Sequence, residues 1–162
     1  MKKVHIITDS TSDISQREAE KLGIDVVPLH VNIDGVDYID GLTISNQDFF
    51  KKLRTAKILP KTSAPSPGSF LEVIKKYPKD EEILIMTISS DASATHSSAK
   101  IAVEEADRDN IVLYDTRQAT FGLLALVHAA IQFRDVGDNA KTIVEKVQEI
   151  SRRIVVQAAF DD

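Results

Sequence analysis

The chain has 162 residues, of which 43% are hydrophobic, and this size and composition fit one compact domain spanning residues 1–162. Its formal net charge is -5, and acidic and basic residues are mixed along the sequence, so no concentrated basic footprint predicts binding to nucleic acid. It contains no Cys, which excludes disulfides, thiolate nucleophiles and thiolate zinc sites and suits a cytoplasmic location. The first apolar run stops at Asp9, too soon for a signal peptide or a membrane span.

Strand and helix patterns alternate along the chain. Strands are predicted over residues 4–7, 24–33, 36–39, 82–88, 111–114 and 154–160. Helices are predicted over residues 16–22, 67–77, 93–106, 121–133 and 139–153, with a short one after a capping box at 45–48. This alternation predicts an α/β fold with a mostly parallel sheet covered by helices on both faces.

Local signals mark several of the boundaries. The polar turn 9–13 can cap the first helix, and Ser66 with Pro67 is a typical helix start. Pro28 indicates an edge position or a bulge in the strand over 24–33. Asp34 and Gly35 predict a hairpin turn, and residues 121–133 are apolar almost all round, which predicts an interior helix.

Hydroxyl-rich segments carry the strongest functional signal. Parallel sheets bind ligands at the carboxyl ends of their strands, and Asp9, Ser89 and Asp115 all fall there. Ser and Thr donors and the free N–H groups of helix starts could together hold a carboxylate or a phosphate. Helix capping alone is the more frequent explanation of any one such segment, and only several converging segments make binding an equal alternative. The segments in question are residues 9–13, 62–69, 89–98 and 115–120.

Signatures of catalysis are mostly missing. The six glycines form no phosphate loop and no nucleophile elbow, and the four histidines lack metal-ligand spacing, so no cofactor and no metal is predicted. A phosphate-ester hydrolase or transferase using Asp9 or Asp115 stays open, although Thr11 stands where an aspartyl nucleophile would want a second acid.

Five motifs in order give the chain a resemblance to the DegV family, and the resemblance covers essentially its whole length. They are Ile7-Thr8-Asp9-Ser10-Thr11-Ser12-Asp13, Val27-Pro28-Leu29, Lys61-Thr62-Ser63-Ala64-Pro65-Ser66-Pro67, Thr87-Ile88-Ser89-Ser90 with Ser97-Ser98-Ala99, and Asp115-Thr116-Arg117-Gln118-Ala119.

This resemblance implies a bacterial fatty-acid carrier that presents the acyl chain to a fatty acid kinase subunit and has no turnover of its own. Hydroxyls would hold the fatty-acid carboxylate, with Thr62 and Ser90 as the first choices. The family motifs carry over to Thr62, Ser63, Ser89 and Ser90, and Asp9, Ser10 and Ser93 complete the predicted set of ligand-binding residues.

Two departures from the family pattern affect what is expected. Ala92, Ala94 and His96 stand where the family has Leu, Gly and an aromatic residue, and Ala94 limits the backbone to ordinary dihedrals or strains it. Family members also continue into a second domain, which this chain is expected to lack.

A missing second wall would weaken the binding of a lipid tail. A tail of roughly fifteen carbons gains about 12 kcal/mol when fully enclosed, and one wall supplies about half of that. Association costs roughly 4 kcal/mol or more. Weak fatty-acid binding is therefore expected unless a second copy or a partner covers the groove, and a ligand-free interaction module is the other alternative.

Overall fold

The structure is a computed structural model and describes residues 3–157. Its strands are β1 (Val4–Asp9), β2 (Asp25–Val27), β3 (His30–Ile33), β4 (Val36–Ile39), β5 (Lys61–Ser63), β6 (Glu82–Thr87) and β7 (Ile111–Asp115). Its helices are α1 (Gln16–Leu22), α2 (Asn46–Leu53), α3 (Pro67–Ile74), α4 (Thr95–Ala106), α5 (Phe121–Asp135) and α6 (Ala140–Ser151). A 3₁₀ turn, Ser10–Ser12, follows β1 directly.

A four-stranded parallel sheet in the order β2-β1-β6-β7 forms the centre of the fold. Every residue of β1 is buried, because its alternate side chains point into two separate cores. Ile6 packs with residues of α5 and α6, whereas Ile7 packs with residues of α3 and α4. The predicted α/β fold with a mostly parallel sheet covered by helices on both faces is confirmed.

A second, antiparallel sheet in the order β4-β3-β5 was not predicted. The hairpin within this sheet was predicted. Asp34 and Gly35 join β3 to β4, and both adopt positive φ as a tight hairpin turn requires. β5 pairs with the other edge of β3, placing Ser63 opposite His30.

The single strand predicted over residues 24–33 is wrong, because it forms two strands in different sheets. β2 ends at Val27 in the parallel sheet, and β3 begins at His30 in the antiparallel one. Pro28 has no N–H to continue a ladder, and the N–H of Leu29 instead donates to Ser10 Oγ at 3.0 Å. The run therefore crosses between the sheets at these two residues.

The helix starts follow the capping signals with one exception. Ser45, Ser66 and Asn139 cap α2, α3 and α6 as their sequences indicate. The prediction that the polar turn 9–13 caps α1 is wrong, since Ser15 forms a capping box with Glu18. The turn has its own cap in Asp9, which accepts the N–H of Thr11.

Three further predictions differ from the structure near helix and chain ends. Helix α3 stops at Ile74, before the predicted end at Tyr77. Helix α5 is interior on one face only, because Leu123, Leu126, Val127, Ala130 and Ile131 are buried whereas Phe121, Ala125, His128 and Gln132 are exposed. Residues 154–157 form no strand, and residues 158–160 of that predicted strand lie outside the described residues.

Candidate functional site

The carboxyl edge of the parallel sheet is organised by Asp9 at the end of β1. Its carboxylate accepts hydrogen bonds from the N–H and the hydroxyl of Thr11, at 3.0 and 2.5 Å, and from the N–H of Ile88 at 2.8 Å. Ile88 directly follows β6, so these bonds hold the ends of two neighbouring strands together.

Burial is the main influence on the ionisation of Asp9. The residue has no exposed surface, and this burial raises the pKa of its carboxyl above the usual value, while the bonds from Thr11 and Ile88 oppose the rise. Both oxygens are occupied by these donors. Asp9 therefore holds the ends of β1 and β6 in place from inside the fold. Its carboxylate is buried and is not accessible to a substrate.

Ser10 connects this edge to the crossing between the sheets. Its hydroxyl accepts the N–H of Leu29, the residue that precedes β3. Ser10 also lines a groove of about 460 Å³ together with Asp13, Asp40 and Ser45. Ser10, which was predicted to bind a ligand, thus borders an open groove, while its hydroxyl holds the backbone at Leu29.

Ser89 and Ser90 lie in the loop after β6 and face the end of β7. The N–H of Ser89 donates to the carbonyl of Gln118 at 2.9 Å. Ser90 donates its hydroxyl to one oxygen of Asp115 at 2.6 Å and its N–H to the other at 3.2 Å. Burial opposes the ionisation of Asp115, but the bonds from Ser90 and Arg117 outweigh it and hold the pKa of Asp115 below its usual value.

Ser93 supports the start of α4. Its hydroxyl accepts the N–H of Thr95 at 3.2 Å and lies 2.9 Å from the hydroxyl of Thr95. The helix has no side-chain cap at Ala94 itself, whose φ of -70 and ψ of 0 are ordinary right-handed values. The Ala that replaces the family's Gly is therefore accommodated without backbone strain.

The loop between β7 and α5 holds two residues in an uncommon backbone conformation. Arg117 has a φ of 54, and Thr120 has a φ of 46 with a ψ of -120. A β-branched residue with positive φ is costly, and such strain tends to cluster at functional sites. The Arg117 guanidinium contacts Asp91 and Asp115, which places a cation beside the Ser89 to Ser93 loop.

Thr62 and Ser63 lie on β5 and have exposed side chains. Successive side chains of a strand point to opposite faces, so the two hydroxyls cannot serve one site together. Thr62 lines a groove of about 390 Å³ whose other walls include Phe49, Phe50 and Leu53. Thr62, which was predicted to bind a ligand, therefore borders an apolar surface.

Two carboxylates that the sequence did not connect also border this groove. Asp13 and Asp40 line both it and the groove beside Ser10. Burial, and secondly the nearby charge of Asp40, raise the pKa of Asp13 above its usual value. The 26 residues between them hide the pair from sequence reasoning, since only the hairpin brings Asp40 back to the end of the 3₁₀ turn.

The structure therefore assembles the predicted residues in two places. Asp9, Ser89, Ser90 and Ser93 meet at the carboxyl edge of the parallel sheet, and Ser10 links that edge to the smaller sheet, where Thr62 and Ser63 lie. No hydrogen bond joins Thr62 to Ser90 within residues 3–157, so their action on one ligand stays a prediction.

Two further searches of the described residues gave negative results. No group of three or more His, Asp or Glu side chains is arranged to hold a metal ion in residues 3–157. Over the same residues, no helix has both the length and the apolar character needed to cross a bilayer.

The fold and its hydroxyl-lined edge define an α/β domain of a known family. The family model described as "Uncharacterised protein, DegV family" matches residues 3–162. The chain belongs to the DegV family.

Curated relatives share the sequence over nearly the whole chain. DegV domain-containing protein TTE1491 of Caldanaerobacter subterraneus subsp. tengcongensis is 38% identical over 162 residues, and CPE1310 of Clostridium perfringens is 32% identical over 162 residues. Each match covers 99% of this chain and 58% of the relative. The chain thus spans a little over half the length of these relatives.

Solved structures agree with the fold. A DegV family protein from Thermus thermophilus, described by its fatty acid binding, is 32% identical with a TM-score of 0.83, over 94% of this chain and 54% of its own. A DegV lipid binding protein from Thermotoga maritima is 30% identical with a TM-score of 0.81, over 93% and 55%. A stearic acid-binding protein from Eubacterium ventriosum is 28% identical with a TM-score of 0.81, over 91% and 52%.

Proposed function

We propose that this chain binds a fatty acid and acts as a carrier without turnover of its own. The observation that carries the proposal is the likeness, over more than nine tenths of the chain, to DegV proteins that are described as binding fatty acid, lipid or stearic acid. The hydroxyl-lined edge and the apolar groove supply the two kinds of contact that a fatty acid needs.

Thr62 is the first candidate for the carboxylate of the ligand. Its hydroxyl is exposed and lies on the groove whose walls include Phe49, Phe50 and Leu53, against which methylene groups can pack. A hydroxyl that donates to a carboxylate forms a charge-assisted bond, which is stronger than a neutral one. The apolar wall and the hydroxyl together suit an amphiphile with one anionic end.

Ser90 is the second candidate, and Ser89 and Ser93 support it. The hydroxyl of Ser90 now donates to Asp115, so binding a carboxylate through it requires an exchange of partners. Arg117 lies next to the same carboxylate, with its Nε 3.1 Å from Asp115 Oδ2, and offers a positive charge to an incoming anion. Asp9 and Ser10 hold the surrounding loops in place through their own bonds.

The 162-residue chain tested alone is expected to bind weakly. Its grooves are open to solvent, and a single apolar wall removes only part of a tail from water. About 6 kcal/mol from half-burial of a fifteen-carbon tail has to offset an association cost of about 4 kcal/mol or more. Covering the groove with a second copy or a partner protein would tighten the binding.

The test compares the thermal shift produced by oleate in the parent and in two variants, Thr62→Ala and Ser90→Ala. Each substitution is expected to reduce the shift, because loss of a charge-assisted bond worth about 1.5 to 3 kcal/mol raises the dissociation constant by about 10- to 150-fold. Native mass spectrometry of the same samples reports the bound stoichiometry directly.

Thr142→Ala is the matched control, since Thr142 lies in the first turn of α6, where Ala140 bonds to the first residue of β6 at the opposite end of the sheet. It should keep the parental shift. Equal shifts in all four proteins would contradict the proposed site, and no shift in any of them would leave the chain an interaction module. A tightly retained fatty acid on the monomer would contradict the expected weakness.

The carrier role includes a protein partner that would act on the acyl chain, and we propose a fatty acid kinase subunit for it. A fatty acid kinase B3 protein from Streptococcus pneumoniae loaded with linoleic acid shares the fold at 20% identity. The buried, fully bonded carboxylate of Asp9 gives the phosphate-ester alternative no accessible nucleophile at that position. We expect no phosphatase activity from this chain, and a cytoplasmic location remains a prediction for cell fractionation.

A further inference from the structure

Residues 50–61 form a basic surface on an acidic protein, and we call it the 50–61 surface. The segment carries five cations, Lys51, Lys52, Arg54, Lys57 and Lys61, and no acidic residue. The chain as a whole has a net charge of -5, so the remaining residues carry -10. The prediction that acidic and basic residues are mixed along the sequence therefore does not hold for this segment.

The same segment exposes three large apolar side chains. Phe50 is 57% exposed, Ile58 is 67% exposed and Leu59 is 82% exposed. Leu59 has the highest exposure of any large hydrophobic residue within residues 3–157. Ile58 and Leu59 are consecutive and line one surface depression, and apolar side chains exposed together in this way mark an interaction site more often than single exposed ones.

The backbone holds these side chains outward. Helix α2 packs through Phe49 onto the small core of Val31, Ile33 and Ile44, which leaves Phe50 on the outer side. The N–H groups of Lys57 and Ile58 both donate to the carboxylate of Asp34 in the hairpin turn, at distances of 3.1 to 3.3 Å. The apolar tip is thus fixed on the hairpin.

The cations of the 50–61 surface are mostly without anionic partners. In the part of the chain that the structure describes, only Lys51 of the five has a carboxylate within 4.0 Å, at 3.5 Å from Asp48. Lys52 lies over the ring of Tyr38. The two acids of the neighbouring hairpin are already engaged, Asp34 by the N–H groups above and Asp37 by the amide of Asn32.

We propose that the 50–61 surface docks this protein on an anionic phospholipid bilayer. Exposed aliphatic and aromatic side chains among Lys and Arg match the interface of such a membrane, where the apolar groups enter the headgroup region and the cations attract anionic lipids. The charge of -10 on the rest of the molecule is repelled by the same lipids, so it turns the 50–61 surface toward them.

Docking in this orientation would place the groove beside Thr62 next to the lipid. Phe50 and Pro60 line that groove as well as belonging to the 50–61 surface. The inference goes beyond fatty-acid binding and does not depend on it, because adsorption to vesicles is measured without any free fatty acid.

The chain contains no Trp, so a single introduced Trp reports the environment of one position. Leu59→Trp is titrated with vesicles of phosphatidylglycerol and phosphatidylcholine in equal parts. A blue shift of its emission is expected, and it should fade when salt rises from about 0.05 M to about 0.5 M. Val136→Trp is the control, because Val136 is 75% exposed at the residue that follows α5, and it should not shift.

Charge variants in the Leu59→Trp background test the electrostatic part. Lys57→Gln with Lys61→Gln should weaken vesicle partitioning by about 25-fold, whereas Lys75→Gln with Lys79→Gln, on the exposed end of α3 and the turn after it, should leave it unchanged. Circular dichroism confirms that each variant is folded. No blue shift, an equal shift at Val136→Trp, or an equal shift with pure phosphatidylcholine would overturn the proposal.

Discussion

Asp13 and Asp40 place negative charge in the grooves where the proposed ligand would lie. Both residues line the groove beside Thr62, and a fatty-acid carboxylate that bonds to Thr62 would be repelled by them. Partial burial and the charge of Asp40 raise the pKa of Asp13 above its usual value. Protonation of Asp13 removes one of the two charges, so binding through Thr62 is expected to strengthen as pH falls through the pKa of Asp13.

From the raised pKa of Asp13 we predict that Asp13→Asn increases the thermal stability of the fold by an amount that depends on pH. A carboxyl whose folded pKa is raised supports folding while protonated, and that support is lost as pH rises through the folded pKa. Asn cannot ionise, and it tolerates the left-handed backbone of residue 13, where φ is 58. We expect Asn to raise the melting temperature at pH 7 and to have no effect below about pH 3.8, the unperturbed value.

The gain at pH 7 should not exceed about 3 °C, which corresponds to about 1 kcal/mol for a chain of this size. Thermal unfolding followed by circular dichroism at both pH values measures it. Asp109→Asn, in the exposed turn before β7, is the matched control and should show no comparable gain. A gain of the same size at both pH values would contradict the assignment to ionised Asp13.

At this scale the sequence predicted the ends of the strands better than the hydrogen bonds that join them. The strand ends that carry Asp9, Ser89 and Asp115 were predicted because apolar runs stop abruptly before them. The bonds from Ser90 to Asp115 and from Leu29 to Ser10 were not predicted, since they join residues brought together only by folding. The pairing of Asp13 with Asp40 was missed for the same reason.

Among the elements, the ends of α3 and α4 are joined by one side chain. Arg108, just after α4, donates to the carbonyls of Tyr77, Pro78 and Glu81 at 2.7 to 3.0 Å. These carbonyls lie in the turn between α3 and β6, where no helix bond satisfies them. The guanidinium therefore fixes the approach of the chain to the central strand β6.

Arg108→Met is expected to lower the free energy of unfolding by about 2 to 3 kcal/mol, because it removes charge-assisted bonds and leaves the carbonyl of Tyr77 unpaired. The carbonyls of Pro78 and Glu81 keep the N–H of Glu81 and the amide of Asn110 as donors. Arg108→Lys should recover little of this loss, since an ammonium group cannot reproduce the planar fork. Urea denaturation measures both, and Arg17→Met on the exposed face of α1 is the control. Full recovery by Lys would show that charge alone matters.

The elements themselves were largely predictable where one signal dominated. Helices α2 and α3 begin at the predicted caps, and the continuous apolar run of β6 is buried in the centre of the sheet. The break at Pro28 and Leu29 was not predictable as a change of sheet, because both halves of the run have the same β-branched composition. β5 was missed because a three-residue polar strand has no apolar pattern.

For the molecule as a whole, the two sheets differ in the size of their cores. The parallel sheet is buried between two large clusters, whereas the antiparallel sheet packs on a small cluster whose buried members within residues 3–157 are Val31, Ile33 and Ile44. Local opening requires less free energy where fewer apolar contacts are broken. The smaller sheet should therefore open independently of the larger one.

Hydrogen exchange followed by mass spectrometry checks this difference. Amides of β3 should exchange at least about tenfold faster than those of β1 and β6, which open only with the whole molecule. Oleate is expected to slow exchange in β3 and β5 more than in β1. Equal protection of both sheets would show that they unfold as one unit.

The crossing at Pro28 and Leu29 gives residues 28–66 the character of an insertion between β2 and α3. The parallel layer forms its own cores without them, so substitutions in the inserted unit need not disturb the layer that anchors it. Relatives could therefore diversify their ligands by remodelling this unit alone, and exchange of the unit between family members would be a direct route to carriers with altered preferences.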